Sequence, residues 1–210
     1  MTTKERILRT ALELYNKSGP ETVTVRHIAA EMGISHGNLC YHYPNTEAIV
    51  RALYNELVTE MNKMVTDSQF TSATDVKTVM QMVLNAARKG FETLYRYRFV
   101  LLNFHAIMRS DEYIRKNYSE LTRQRQTEFR MITDALILAG IFRPESYPGQ
   151  YDLLIELQLL AGDNWIARAE IICKMNKTQA INYYTDLLLS PWTAIMTEQG
   201  MKMYRELSGK

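Results

Sequence analysis

Apolar residues recur at helical spacing along most of the chain, beginning close to its first residue. Thr2 and Glu5 have the spacing of a capping box, in which each side chain binds the other residue's backbone amide at the start of a helix. Gly19 and Pro20 supply a stop signal. A helix is therefore predicted over residues 2–18, and its apolar stripe consists of Ile7, Leu8, Ala11, Leu12, Leu14 and Tyr15.

Three more helices are predicted in the stretch that follows. Thr24, Ser35 and Asn45 belong to residue types that cap helices, and each precedes a segment with helical patterning. Pro44 closes the middle segment, because proline does not continue a helix. The predicted helices run from Thr24 to about Glu31, from His36 to about Tyr43, and from Asn45 to about Thr66.

The rest of the chain is also helical in pattern. A polar stretch, DSQFTSATD at 67–75, is predicted to be a linker, and Ser190-Pro191 is predicted to start the last helix. No segment has the alternation of a β-strand. Helices are predicted at about 75–97, 98–109, 111–139, 150–174, 177–189 and 191–207. The predicted fold class is all-α, with nine to ten helices.

The segment 24–43 has the steric requirements of a helix-turn-helix. Two short helices that cross steeply need a small residue at the crossing, and Ala29 is small. Gly33 can adopt the positive φ of a sharp turn four residues later. Apolar side chains must lock the second helix to the first, and those at suitable spacing are Ile28, Ile34 and Leu39.

This segment resembles the tetracycline-repressor (TetR) family of transcription regulators. The matching stretch is VTVRHIAAEMGISHGNLCYHYPNTEAIV at 23–50, preceded by a helix containing ILRTALELYNKSGPE, and the resemblance covers residues 4–55. The pattern G-x-L-x-Y-H-[FY]-P-x-x-E is present as Gly37, Leu39, Tyr41, His42, Tyr43, Pro44 and Glu47. The remaining three quarters agree with the family in length and helical content.

The resemblance implies how the motif would contact DNA. The second helix of a helix-turn-helix lies in the major groove with its first residues at the base edges, which assigns base reading to His36 and Asn38. An asparagine is suited to a bidentate hydrogen bond with adenine, although another base or a bridging water stays open. Gly37 would permit close approach. The other expected DNA contacts are Thr24, Arg26, Ser35, Tyr41, His42 and Thr46.

Two positions depart from the family pattern. Cys40 stands where the family usually has tyrosine, and Thr46 stands where it usually has lysine. The second change removes a cation that resembles a phosphate contact in relatives. The threonine hydroxyl and the amides at the helix start can still bind a phosphate.

Charge and composition narrow the function without naming it. The net charge is +2, and residues 1–50 carry five cations and five acids, so DNA binding cannot rest on general basicity. The two cysteines match no metal or redox spacing, and no nucleophile elbow, phosphate loop or acid–base pair is recognisable. We therefore expect no enzyme, no metal and no cofactor. A cytoplasmic location without a membrane span is expected, since no secretion signal or long apolar run occurs.

The C-terminal part is expected to bind an effector. Its aromatic and methionine residues at helical spacing are mostly core residues, but by resemblance the middle helices enclose a ligand cavity. A largely apolar cavity with a few polar groups suits a small hydrophobic or amphipathic molecule. The candidate ligand-binding residues are Tyr95, Phe99, Asn103, His105, Met108, Met131 and Trp165.

These features predict two functional parts: residues 1–50 for DNA binding and 51–210 for effector binding and dimerisation. The helices at about 150–174 and 177–207 are apolar over more than one face, and the family uses this region for its homodimer. The expected function is a ligand-responsive regulator, by family default a repressor, on a palindromic site in double-stranded DNA. A helical interaction module that has lost DNA binding is the alternative, suggested by the neutral N-terminal part and Thr46.

Overall fold

The fold of the computed structural model is all-α in the residues that the structure describes, 1–67 and 76–209. Eleven α-helices occur there, against the nine to ten expected, and a π-helical turn, Arg168–Ile172, follows α9. Residues 68–75 of the predicted linker lie outside the described ranges. The helices are α1 Thr3–Ser18, α2 Val25–Glu31, α3 His36–His42, α4 Thr46–Asp67, α5 Val76–Arg96, α6 Arg98–Leu102, α7 Phe104–Ser110, α8 Glu112–Leu138, α9 Gln150–Ala167, α10 Lys177–Thr193 and α11 Glu198–Ser208.

The predicted caps start the first four helices. The Thr2 hydroxyl accepts from the Glu5 amide at 3.2 Å, and the Glu5 carboxylate accepts from the Thr2 amide at 2.8 Å, which completes the capping box. Thr24 caps α2, and Ser35 caps α3. The Asn45 side chain accepts from the Ala48 amide at 2.9 Å. These local bonds confirm the predicted starts of the helices.

Two predicted boundaries in the C-terminal part are wrong. The segment 98–109 is not one helix, because α6 ends at Leu102 and α7 starts at Phe104. Ser190-Pro191 does not start the last helix, since Pro191 lies inside α10 and Thr197 caps α11. Burial explains the second error: the Trp192 ring is buried and stacks on Phe142 at 5.6 Å, which keeps this turn helical beyond the proline.

The chain forms two compact units, each discontinuous in sequence. The first comprises Met1–Met61 and Thr93–Lys116, and its fully buried side chains include Ile7, Tyr15, Ile28, Leu39, Ile49, Leu53 and Phe99. The second comprises Asn62–Glu92 and Asn117–Lys210, and its core includes Met80, Leu136, Ile141, Phe142, Tyr151 and Ile155. The functional division at residue 50 stays a prediction. Among the described helices, none is both long and apolar enough to cross a bilayer.

Gly200 is predicted to be intolerant of any side chain. A Cβ at this position of α11 would lie 2.3 Å from the carbonyl oxygen of Ile141, which is backbone and already accepts from the Thr197 amide at 2.9 Å. Gly200→Ala should lower the free energy of unfolding by about 1–3 kcal/mol, measured by urea denaturation. Gly37→Ala is the control, because a Cβ there meets nothing within 4 Å. Equal stability of the two variants would contradict this close contact.

Candidate nucleic-acid interface

The angle between α2 and α3 is set by a small buried core and one glycine. Ala29 is 2% exposed, and Ile28 and Leu39 are fully buried. Gly33 has φ +65°, a conformation that L side chains rarely adopt. The Ile34 amide then donates to the Ala29 carbonyl at 3.0 Å, which closes the turn. The steric prediction of a helix-turn-helix is confirmed at these positions.

The outer side of α3 carries the residues expected to read bases. His36, Gly37 and Asn38 are all exposed, and Tyr41 is 86% exposed. Ser35 is exposed as well, and its hydroxyl accepts from the Asn38 amide at 3.2 Å, which starts the helix. A helix with its first turn uncovered can place these groups against base edges in a major groove.

Cys40 and His42 lie at the border of this exposed face, and both are half-buried. The Cys40 sulfur lies 3.3 Å from Nε2 of His36, one helical turn earlier. The His42 ring meets the Tyr41 ring edge-on, with centroids 5.3 Å apart. The Cys40 sulfur therefore restrains the His36 ring, and the contact with Tyr41 restrains the His42 ring. Tyr41 itself stays exposed.

The starts of α2 and α4 hold the expected phosphate contacts. Thr24 and Arg26 are exposed. The Thr24 hydroxyl accepts from the His27 amide at 3.4 Å, and Nδ1 of His27 accepts from the Thr24 amide at 3.3 Å. The hydroxyl therefore keeps its own proton for donation to a phosphate oxygen. Thr46 is half-buried in the first turn of α4.

Tyr43 belongs to the core and not to the exposed face. It is 5% exposed, and the ammonium of Lys4 lies 5.5 Å from the centre of its ring. Burial raises the pKa of the Tyr43 hydroxyl above its ordinary value, with a smaller contribution from the charge of Glu56. This residue therefore joins α1 to the end of α3 in its neutral form.

The seven candidate ligand residues divide between the two units. The first unit holds Tyr95, Phe99, Asn103, His105 and Met108, and the second holds Met131 and Trp165. Phe99 is fully buried against Tyr15.

The others differ widely in exposure. His105 is exposed and lines, with Asn103, a surface depression of about 650 Å³. Met131 is 58% exposed, whereas Trp165 is buried between Phe91 and Tyr184. A shared ligand site for these residues stays a prediction.

One connecting residue was missed by the sequence reasoning. Asn16, in the last part of α1, donates to the Arg96 carbonyl at 2.8 Å and accepts from the Phe99 amide at 3.0 Å. Its partners are 80 and 83 residues away in sequence, so no local sequence pattern predicts the contact. In the described residues no group of three His, Cys, Asp or Glu side chains is placed to hold a metal ion.

Two family models together match nearly the whole chain. The model described as bacterial regulatory proteins, tetR family, matches residues 7–53. The model described as a bacterial transcriptional repressor, TetR, matches residues 53–204. The chain belongs to the TetR family. Members of this family are DNA-binding transcription regulators and not enzymes.

Curated relatives match over parts of their length. The HTH-type transcriptional regulator YerO of Bacillus subtilis is 27% identical over 60% of this chain and 44% of its own. The tetracycline repressor protein class C of Escherichia coli is 38% identical over 27% of this chain and 26% of its own. The chain thus spans less than half of either relative.

Solved structures share this fold over nearly the full length of the chain. A TetR-family transcriptional regulator from Marinobacter aquaeolei has a TM-score of 0.82 at 24% identity, covering 100% of this chain and 98% of its own. A transcriptional regulator from Saccharomonospora viridis in complex with choline has a TM-score of 0.71 at 18% identity, covering 93% and 98%. The ketosteroid regulator KstR2 of Mycobacterium tuberculosis has a TM-score of 0.64 at 18% identity, covering 94% and 96%.

Asn38→Ala is predicted to remove sequence discrimination without unfolding the protein. The side chain is exposed and contributes little to the core, so the midpoint of thermal unfolding should not change. Affinity for the preferred duplex should fall by about 1–3 kcal/mol, measured by fluorescence anisotropy against a scrambled duplex. Asn85→Ala, at an exposed asparagine of α5, is the control. An equal loss on both duplexes would indicate a phosphate contact instead.

Proposed function

We propose that this TetR family regulator is a cytoplasmic, ligand-responsive repressor that binds a near-palindromic operator as a homodimer. One observation carries the proposal: His36, Gly37, Asn38 and Tyr41 project from α3, while Leu39 of the same helix is fully buried. A short helix anchored on one side and uncovered on the other fits a major groove. The further DNA contacts are Thr24, Arg26, Ser35, His42 and Thr46.

The homodimer is proposed to form on an apolar face of the second unit. Leu153, Leu157 and Leu160 are 63%, 52% and 60% exposed, and their spacing places them along one side of α9. Tyr183 and Leu187 of α10 are 51% and 45% exposed and lie one turn apart. Exposed apolar residues in such number mark an interaction surface.

The two helices of this face are joined to each other. The Gln158 side chain of α9 donates to the Leu188 carbonyl of α10 at 3.0 Å. A pair of joined helices from each copy makes a four-helix interface around a two-fold axis. Such symmetry would set two copies of α3 about 34–36 Å apart, one turn of DNA.

The effector is proposed to be small and hydrophobic or amphipathic. The second unit contains polar groups that are partly or largely shielded from solvent: the half-buried Asp163 accepts from the Tyr118 hydroxyl, and burial raises the pKa of this carboxyl. Arg125 is 7% exposed and donates to Glu128. Buried polar groups in an apolar surrounding orient an amphipathic ligand. The S. viridis structure holds choline, a small quaternary ammonium, and the name of KstR2 contains a ketosteroid, a larger and mostly apolar molecule, so small organic molecules of different polarity are associated with proteins of this fold.

Effector and DNA are proposed to be coupled through α4. This helix begins at Thr46, beside the end of α3, and continues without a break to Asp67. A small displacement of α4 would change the spacing of the two DNA-binding surfaces. A coupling of about 1–3 kcal/mol is enough to change operator occupancy strongly. The coupling is checked by titrating a molecule that raises the thermal stability of the protein and measuring operator affinity. An unchanged operator affinity would contradict this coupling.

The function is tested by selecting bound duplexes from a random pool. Two inverted half-sites with centres about one DNA turn apart are expected, because a two-fold dimer presents two identical helices. Binding to the selected duplex should weaken steeply as salt rises, since phosphate contacts release counterions. A pool without enrichment, or enrichment of a single unrepeated site, would overturn the proposal.

Leu157→Arg is predicted to separate the dimer. A cation in the centre of the apolar face of α9 would lie in the interface without a partner, which is strongly unfavourable. Sedimentation should change from dimer to monomer, and affinity for the two-half-site duplex should fall. Leu138→Arg is the control, because Leu138 is 90% exposed at the end of a different helix. A dimeric Leu157→Arg protein would exclude this face as the interface.

A further inference from the structure

Asn16 binds the chain where α5 stops and α6 starts. Its Nδ2 donates to the carbonyl of Arg96, the last residue of α5, at 2.8 Å. Its Oδ1 accepts from the amide of Phe99, in the first turn of α6, at 3.0 Å. Helix ends leave such carbonyl and amide groups without partners in their own helix. One carboxamide therefore satisfies a helix end and a helix start together.

An apolar contact next to this amide strengthens the attachment. The ring of Tyr15 lies 5.3 Å from the ring of Phe99, and both side chains are at most 1% exposed. Ring packing supplies area but tolerates sliding, whereas two hydrogen bonds to the main chain define one register. Tyr15 therefore holds α1 on α6, and Asn16 determines where on α6 it is held.

The attachment leads to the DNA-binding surface through direct packing. Within the first unit, α1 packs on α6 and on α2, and α2 packs on α3. The α3 helix has seven residues and cannot hold a position by itself. Its setting thus depends on the elements on which α1 and α2 rest.

The α4 helix is attached to the same stretch, Thr93–Lys116, independently of Asn16. Arg51 forms an ion pair of 2.9 Å with Asp111, a buried carboxylate that also accepts from the Ile114 amide at 3.0 Å. Glu60 accepts from the Tyr97 hydroxyl at 2.8 Å. Loss of Asn16 should therefore loosen α1 without releasing the rest of this unit.

We propose that Asn16 is a positioning residue for DNA binding, which fixes the register of α1 on the α5–α6 junction and thereby the orientation of α3. It touches no DNA itself. In the dimer of the proposed function, on which this inference rests, a fixed orientation makes the protein selective for the distance between two half-sites. A loosened α1 would tolerate other distances while it still reads the same bases.

The test compares half-site spacing preference in wild-type protein, Asn16→Ala and Asn16→Asp. Alanine removes both hydrogen bonds. Aspartate has the same shape and still accepts from the Phe99 amide, but its carboxylate faces the Arg96 carbonyl and cannot donate to it. Ser18→Ala, at an exposed position of α1, is the matched control. Affinities are measured for the selected operator and for duplexes with one base pair inserted or removed between the half-sites.

The wild-type protein and Ser18→Ala should strongly prefer the selected spacing. Both Asn16 variants should reduce that preference by about tenfold, the order of magnitude of one to two hydrogen bonds. Discrimination against base changes within a half-site should stay at the wild-type level, a separation that general destabilisation would not produce. Unchanged spacing preference in folded Asn16 variants, or equal loss of spacing and base discrimination, would overturn the inference.

A measurement on the wild-type protein covers the case of variants that do not fold. Amide hydrogen exchange at Phe99 reports directly on the bond to Asn16, and it should slow when the operator binds if this bond holds the DNA-binding orientation. Exchange that is unaffected by DNA would contradict the positioning role. Absence of any spacing preference in wild-type protein would instead contradict the dimeric function.

Discussion

The burial of one side of α3 is the constraint on which the proposed DNA-binding surface depends. A helix of seven residues is far below the length of about 12–15 residues at which isolated helices become even marginally stable. Leu39 is fully buried and Tyr43 is nearly so, and these two side chains anchor α3 to the core of the first unit. The opposite side is thereby left exposed, and its polar groups add little to the core and are available for the proposed DNA contacts.

A neutral N-terminal part makes precise placement more important than in a basic protein. Residues 1–50 carry equal numbers of cations and acids, so long-range attraction to DNA is weak in this stretch. Affinity must then come from contacts made at hydrogen-bond distance, such as those proposed for Thr24, Arg26 and the start of α3. Such contacts require α2 and α3 to be held in a fixed position. The attachments of α1 and α4 to the stretch Thr93–Lys116 contribute to that position.

Features that depend on residues close in sequence could be predicted, whereas contacts between distant residues could not. Caps at Thr2, Thr24 and Ser35 have partners only three residues away, so the helix starts could be predicted. The helix start predicted at Pro191 was wrong. Proline usually marks the first turn of a helix, but here the burial of Trp192 keeps α10 continuous through this position. The contact of Asn16 could not be anticipated at all, since an asparagine near a helix end has many ordinary uses. The exposed face of α3 could be predicted because its motif is short and contiguous, and its contacts with DNA stay a proposal.

The first compact unit is assembled from two separate stretches, Met1–Met61 and Thr93–Lys116, and this has a consequence for engineering. A fragment cut after Met61 would leave the Tyr15 ring without Phe99 and the Asn16 amide without its main-chain partners. A chimeric regulator in which only the first sixty or so residues are exchanged would therefore lose the native contacts between α1 and the stretch Thr93–Lys116. Transplanting the DNA specificity of this protein to another regulator of the family would require grafting both stretches together.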